Sequence, residues 1–287
     1  MEAFKEIFAE VTGPLLFIGV SLSYAPRTIL EIITSGQPWK LLSPDAFKGA
    51  LFGNFWSVMG PEVKANGQER VIPLLEGRIS GGRMHEHQVA APIHGTVIEA
   101  GAGSGMWADV LGRFVAAKGS ARTSGITKIY GVEPNPKSAA ALRQRVTALG
   151  LEDIYEIVPV GIESLNQPGV WAGMVAPESV DCIAGVLCLC SIPDPDENIK
   201  HLYRLLKPGG HWYVYEHVKA SRGGFWLKLY QRILSYPWSF FIGSCRICRD
   251  TETSLRLAGP WKDIDLAQPP NERPYNVLPH IVGTLTK

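Results

Sequence analysis

In VIEAGAGSGMW, residues 97–107, an apolar run ends on Glu99, and three glycines follow at 101, 103 and 105. A second acid, Glu133, closes another apolar run in YGVEPNP, 28 residues after Gly105. Glycines at this spacing open a tight loop at the end of a strand, where backbone amides and a helix N-terminus can hold part of a nucleotide. The loop departs from the dinucleotide form. GxGxxG/A needs a third small residue for close packing of helix on strand, and Met106 stands at that place. Glu99 is the stronger objection, because a carboxylate at the strand end would face a pyrophosphate, and like charges repel.

The same carboxylate suits a cofactor with a positive end and no phosphate. S-adenosylmethionine, with its ammonium and sulfonium groups, is that cofactor, and S-adenosylhomocysteine is what remains after its methyl is given up. Glu133, at the end of the second strand, is placed to accept both ribose hydroxyls. The spacing from Gly105 to Glu133 exceeds the usual ~20 residues. The stretch KGSARTSGITK, residues 118–128, reads as a surface insertion that accounts for the excess.

These residues need an alternating scaffold, and the chain supplies one from residue 96 onward. TVIEA, KIYGVEP, YEIVPVG, SVDCIAGVLCL and HWYVYEHV read as strands. MWADVLGRFVAAKG, PKSAAALRQRVTALG and PDENIKHLYRLLKPGG read as the helices between them. SVDCIAGVLCL is apolar almost throughout, as a strand buried on both faces should be. Repeated βα units imply an α/β fold with a doubly wound parallel sheet. WKDIDLAQ and HIVGTLTK read as closing strands, with TETSLRLAG a short helix before them.

Residues 1–80 read as a helical extension. SPDAFKGALFGNFWSVMG starts with Ser43 as cap and Pro44 in the first turn, and PEVKANGQERVIPLLEG reads as a separate helix interrupted near Pro73. RISGGRMHEHQVAAPIHG reads as a polar loop. VTGPLLFIGVSLSYA, residues 11–25, is apolar but ends at Pro26, short of the ~20 residues that cross a bilayer. Glu2, Glu6 and Glu10 spoil a secretory n-region. The segment is therefore either an interfacial membrane anchor or a helical lid packed on the protein, with the lid favoured. The expected division is a helical lid or membrane-associating segment over 1–80 and a catalytic domain over 81–287, with a cap inserted at 223–250.

Composition fits a globular chain of 287 residues, 46% hydrophobic and 19% charged. A formal net charge of +1 and the lack of a Lys/Arg run exclude nucleic acid as the general partner. Five cysteines, an odd number, argue against a disulfide framework and for a cytoplasmic, reducing compartment. Cys245 and Cys248 with Cys188 and Cys190 could be drawn as a zinc site. The apolar setting of Cys182, Cys188 and Cys190 favours small buried hydrophobes instead, and no metal is expected.

The stretches VIEAGAGSG, YGVEPNP, VGIESL, SVDCIAGVLCLCSI and LYRLLKPGGHWYVYEHV together resemble the class I S-adenosylmethionine-dependent methyltransferases of small molecules. LCSI, LKPGG, YEHV, IGSCRICRDT and LPHIVGTLTK extend the likeness to the membrane-associated thiol methyltransferase-like family, and related fungal enzymes methylate hydroxyls of polyketides. The resemblance implies a Rossmann-like seven-stranded sheet with its last strand antiparallel. It implies cofactor contacts from Glu99, Gly101, Gly103, Gly105, Glu133, Pro134, Asn135, Ile162, Glu163 and Leu187. PVGIESL lacks the Asp that many relatives set against the adenine amine, so adenine would rest on Ile162 and backbone groups. The animal relatives carry an N-terminal membrane anchor, which suggests peripheral membrane contact here.

Methyl transfer from a sulfonium is an in-line displacement that needs alignment, exclusion of water and a proton acceptor. A single His suffices for an acidic acceptor. His217, at the mouth of the sheet, is the expected base or substrate orienter, with Glu216 beside it either assisting or binding a loop amide. His85 and His87, in MHEHQ, are expected to touch substrate or assist as a base. Trp226, Tyr230 and Trp238, with Tyr236, Phe240 and Phe241, would line a lid over a small apolar metabolite. The activity expected is O-methylation of an enol, phenol or pyrone hydroxyl in natural-product biosynthesis. Methylation of a small thiol is the near alternative, and a methyltransferase-fold cyclase that binds the cofactor without transfer is the third.

Overall fold

Strands form where apolar residues run together, and helices form where they recur every third or fourth position. The computed structural model, which describes residues 2–116 and 125–287, puts both kinds of element in the order the patterns suggest. Helices α1 (Glu2–Ser23), α2 (Ala25–Thr34) and α3 (Pro44–Leu75) come first, then the short strands β1 (Ile79–Ser80) and β2 (Arg83–Met84). There follow β3 (Gly95–Ala100), α4 (Ala108–Gly112), β4 (Ile126–Val132), α5 (Pro136–Ala148), β5 (Tyr155–Val158) and β6 (Val180–Val186). After these come α6 (Pro195–Leu205), β7 (Leu206–His217), α7 (Phe225–Phe241), α8 (Thr251–Arg256), β8 (Asp263–Ala267) and β9 (His280–Thr286). The insertion read over 118–128 falls largely on residues 117–124, outside the described residues.

The chain divides into two units. The first to consider comprises Lys64–Glu216, Thr251–Pro270 and His280–Lys287 and contains a seven-stranded sheet in the order β5-β4-β3-β6-β7-β9-β8. β3, β4, β5, β6 and β7 pair in parallel, while β9 runs antiparallel to β8. Val97, Ile129, Cys182, Ala184 and Tyr213 share one core with Val71 and Leu74 of α3 and Leu142 and Val146 of α5. The alternate residues Ile98, Ile183, Trp212 and Val214 are fully buried too, so both faces of the sheet are covered, as a parallel sheet requires. The chain leaves β3 toward β4 on one side and returns to β6 on the other. The gap between the C-terminal ends of β3 and β6 is therefore the switch point where open α/β sheets bind ligands.

The second unit comprises Met1–Val63, His217–Asp250 and Asn271–Pro279 and is helical. α1 is fastened to α7 by the Tyr230 hydroxyl, which donates to the Val11 carbonyl at 2.7 Å, and by Ser21, which donates to the Phe241 carbonyl at 2.8 Å. Phe17 stacks on Trp238 with ring centroids 5.7 Å apart. A buried amide, Gln231, organises the rest. Its Nε2 donates to the carbonyls of Val218, Ile247 and Val277, and its Oε1 accepts from the Ala220 amide.

Three expectations about elements are corrected. The two helices read between 43 and 77 are one, α3, which continues through Pro61 and Pro73. A proline inside a helix removes a bond and costs about 3 kcal/mol. Full burial of Leu51 and Phe55 in the N-terminal half and of Val71 and Leu74 in the C-terminal half offsets that cost. The polar loop 78–95 contains a hairpin, β1 against β2, closed by the two-residue turn Gly81–Gly82. The apolar N-terminal run is longer than it reads: helix extends through Pro14, and the 30-residue stretch Lys5–Thr34 contains 18 consecutive residues of mean hydropathy 1.5. The face of α7 that carries Trp226, Leu229, Tyr230 and Ile233 is exposed at Trp226 and Ile233 and half-buried at Leu229 and Tyr230, while Gln231, Leu234 and Trp238 are buried.

Candidate cofactor site

β3 brings Glu99 to the C-terminal edge of the sheet, one residue before the chain turns away. Gly101, Gly103 and Gly105 all hold left-handed backbone angles, which side-chain-bearing residues adopt at a cost. Gly101 also sits against Cys188, whose Cβ lies 2.8 Å from where a Cβ on the glycine would stand. Gly103 faces open space: a Cβ there meets nothing within 4 Å. The loop is thus packed from below at Gly101 and open at Gly103, which leaves room for a ligand against the backbone.

Glu133 joins this loop. Its carboxylate accepts from the Gly103 amide at 3.0 Å and from the Asn135 amide at 2.8 Å. Burial raises its pKa, and the two amides oppose the rise. Pro134 is exposed, and the Asn135 side chain caps α5 by accepting from the amides of Lys137 and Ser138. Ile162 is buried in the turn after β5, with Glu163 exposed beside it.

Glu99 is 3% exposed and faces a low-dielectric core. Its Oε2 accepts from the Tyr155 hydroxyl, while its Oε1 is buried with no hydrogen-bond partner among the described residues. Burial pushes the carboxyl up to about 7; the Tyr155 bond lowers it and the charge of Asp109 raises it. Burial alone would raise Asp109 as well. Lys64, at 2.5 and 2.6 Å from its two oxygens, and Arg145 at 3.7 Å leave it lowered instead.

At the other side of the switch point, Leu187 follows β6 in a left-handed conformation, φ +53, uncommon for a branched side chain. That turn aims the Cys188 and Leu189 amides at Glu216, which is fully buried and accepts both through Oε1 at 2.9 Å. Glu216 thereby ties the loop after β6 to the end of β7. His217 follows it as the last residue of β7, with Nδ1 3.9 Å from Cys245 Sγ in the helical unit.

His85 is half-buried and His87 exposed, their rings 6.2 Å apart just after the β1–β2 hairpin. Trp226 is 77% exposed, the Tyr230 hydroxyl is engaged on α1, and Trp238 is buried against Phe17. These three therefore do not form a single aromatic lining within the helical unit. Two residues that matter were not singled out in the sequence. Tyr155, which holds Glu99, reads only as the start of a strand, and Gln231 reads as a polar interruption of an apolar helix. No disulfide joins the five cysteines, and four of them are buried.

A ligand for this loop has to satisfy a bare buried carboxylate oxygen at Glu99 and hydrogen-bond a second acid at Glu133. A ribose-bearing cation with no phosphate at that end does both. Comparison with known proteins agrees. The family model for a methyltransferase domain matches residues 79–259, more than half of the chain. The chain is 32% identical over 171 residues to the thiol S-methyltransferase TMT1B of Rattus norvegicus, covering 56% of this chain and 62% of that protein. It therefore spans less than two thirds of that relative's length. Among solved structures, the [4+2]-cyclase SpnF superposes with a TM-score of 0.51 at 18% identity, covering 79% of this chain and 80% of that one. A geranyl diphosphate methyltransferase in complex with S-adenosylmethionine gives a TM-score of 0.51 at 12% identity, covering 84% and 90%. At these identities the structural likeness concerns the fold alone.

Proposed function

The chain belongs to the methyltransferase-domain family, and from that premise we propose that it transfers the methyl group of S-adenosylmethionine to the sulfur of a small apolar thiol. The observation that carries the cofactor is the pairing of a glycine loop, open at Gly103, with two acids of different duty. Glu133 would take the ribose hydroxyls, and Glu99 would face the cationic end. The thiol acceptor is supported by the similarity to thiol S-methyltransferases, and it replaces the hydroxyl as the first acceptor to test.

When bound, S-adenosylmethionine supplies an electrophilic methyl on a sulfonium. The chain's own residues orient and protect. Glu216 fixes the loop after β6 through the Cys188 and Leu189 amides. His217, the next residue on the same strand, is the proposed acceptor of the thiol proton, because a thiolate is far more nucleophilic than a thiol. Asn135 acts through the helix it caps.

The place of action belongs to the same proposal. Only 11% of the most apolar 18 residues within Lys5–Thr34 is buried, and Phe8, Leu16, Leu22, Leu30 and Ile33 are each more than half exposed. Such a set suits a lipid interface on the reducing side of a membrane, where five cysteines without a disulfide stay reduced and an apolar acceptor partitions. Phosphatidylcholine vesicles should co-sediment the chain, and Leu16→Glu with Leu30→Glu should release it. Sedimentation unchanged by the double variant would remove the membrane from the proposal.

The reaction is tested with methyl-labelled S-adenosylmethionine and an equimolar panel of alkyl and aryl thiols, phenols and enolic pyrones. The expected product is a thiol heavier by one methyl. Label on a hydroxyl instead would restore the acceptor expected from the sequence. An isomerised substrate without label would show a cyclase and overturn methyl transfer.

A further inference from the structure

Glu99, Gly131 and Tyr155 occupy adjacent strands and one face of the sheet. Glu99 on β3 lies opposite Gly131 on β4, and Tyr155 on β5 pairs with Ile129, two residues before Gly131. The Tyr155 ring therefore runs across β4 to put its hydroxyl on Glu99. Only glycine at 131 permits this crossing, since a Cβ there would stand within 2.6 Å of the Tyr155 hydroxyl oxygen and nearer still to its ring. The crossing ends on an acid that methyl transfer does not need as a base.

The surroundings of Glu99 are unusual for a carboxylate. One oxygen takes a neutral hydroxyl, and the other is buried and bare. Among the described residues no Lys, Arg or His makes an ion pair with it, and its charged neighbour is the acid Asp109, held by Lys64 and Arg145. A buried carboxylate with no cation beside it rests as the neutral acid. A cation arriving against it reverses that preference.

We propose that Tyr155 is a positioning residue of the cofactor site, and that entry of the cationic cofactor expels the proton of Glu99 while the Tyr155 hydroxyl holds the carboxylate that forms. The proton leaves to solvent: Glu99 passes from carboxylic acid to carboxylate, and Tyr155 keeps its own hydrogen. Burial, followed by the adjacent acid, holds the Tyr155 hydroxyl well above the ordinary phenol range, so it stays a donor throughout. Glu99 itself ionises near neutrality in the empty protein, at about 7, so the exchange falls within working conditions. This inference rests on the reading that the loop binds S-adenosylmethionine, and it adds a proton to that binding equilibrium.

The test is calorimetric titration of the full chain with S-adenosylmethionine, from pH 6 to pH 9, in buffers that differ in ionisation enthalpy. Linkage expects about 0.9 proton released per cofactor at pH 6, about half at pH 7 and about 0.1 at pH 8. Affinity should fall about tenfold per pH unit below 7. Glu99→Gln should abolish the part of the release due to the protein and flatten the affinity profile, which also accounts for the ligand's own amine. Tyr155→Phe should move the midpoint to higher pH, an effect that mere loosening of the strand would not produce. Binding with equal heats in all buffers and no pH dependence would overturn the proposal while leaving the cofactor site intact. No binding at any pH would overturn the cofactor reading, and the proposal with it. If Tyr155→Phe does not fold, the wild-type and Glu99→Gln titrations decide alone.

Discussion

Glu99 in the sheet unit and Gln231 in the helical unit are both buried polar side chains, 3% and 2% exposed, and they are treated oppositely. Every polar atom of the Gln231 amide is engaged, with three carbonyls on its nitrogen and the Ala220 amide on its oxygen. Glu99 has one oxygen bonded and the other bare. A saturated buried group fixes structure, because breaking it strands all its partners. A half-saturated one destabilises the empty protein and rewards whatever completes it. The helical unit is thus built around its hub, while in the sheet unit one buried oxygen of Glu99 has no protein partner among the described residues, at the sheet edge where ligands of this architecture bind.

The contrast can be broken in four ways. Gln231→Leu should cost the most, about 4 kcal/mol of stability, since several buried backbone groups lose their partner at once. Chemical denaturation reads the loss, and the folded fraction should bind S-adenosylmethionine within about threefold of wild type. A pH series on the empty protein comes next. The folded pKa of Glu99, about 7, lies above its unfolded value of 4.5, so its protonated form favours folding. That contribution is full below pH 4.5 and is lost as pH rises through 7, with a magnitude of about 3 kcal/mol. Melting curves of wild type and Glu99→Gln should diverge over that window, and parallel curves would mean that Glu99 is not strained when empty.

Glu133→Ala should weaken cofactor binding by about 2–3 kcal/mol, or roughly 30- to 150-fold, the scale of two hydrogen bonds to a charged acceptor. The loss should appear in titration with little change in melting temperature, and unchanged affinity would displace the ribose from Glu133. Tyr230→Phe is the smallest case. It removes the bond to the Val11 carbonyl at a cost of about 1 kcal/mol, read as a lowered midpoint. A larger loss would show that α1 depends on that one bond.

The parts legible in the sequence were those whose meaning is local. Glu99, the glycines and Glu133 declare themselves because acid, turn and strand end follow one another within a few residues. The order of the βα units is legible for the same reason. Tyr155 is not, because its partner lies 56 positions away and only the register of three strands brings them together. Gln231 is hidden because apolar spacing ranks helix faces by hydrophobicity, and a buried amide votes for the wrong face. The single span of α3 is hidden because proline and glycine are read as stops, whereas burial on either side of Pro61 outweighs them.

The crossing of Tyr155 over Gly131 has a consequence for descent. Neither position can drift alone: a side chain at 131 collides with the ring, and a smaller residue at 155 leaves an acid unheld above a gap. The two sites form an interacting pair whose changes do not add. Lineages of this chain should therefore divide into those that keep glycine with tyrosine and those that have exchanged both, with the mixed combinations found only as short-lived intermediates.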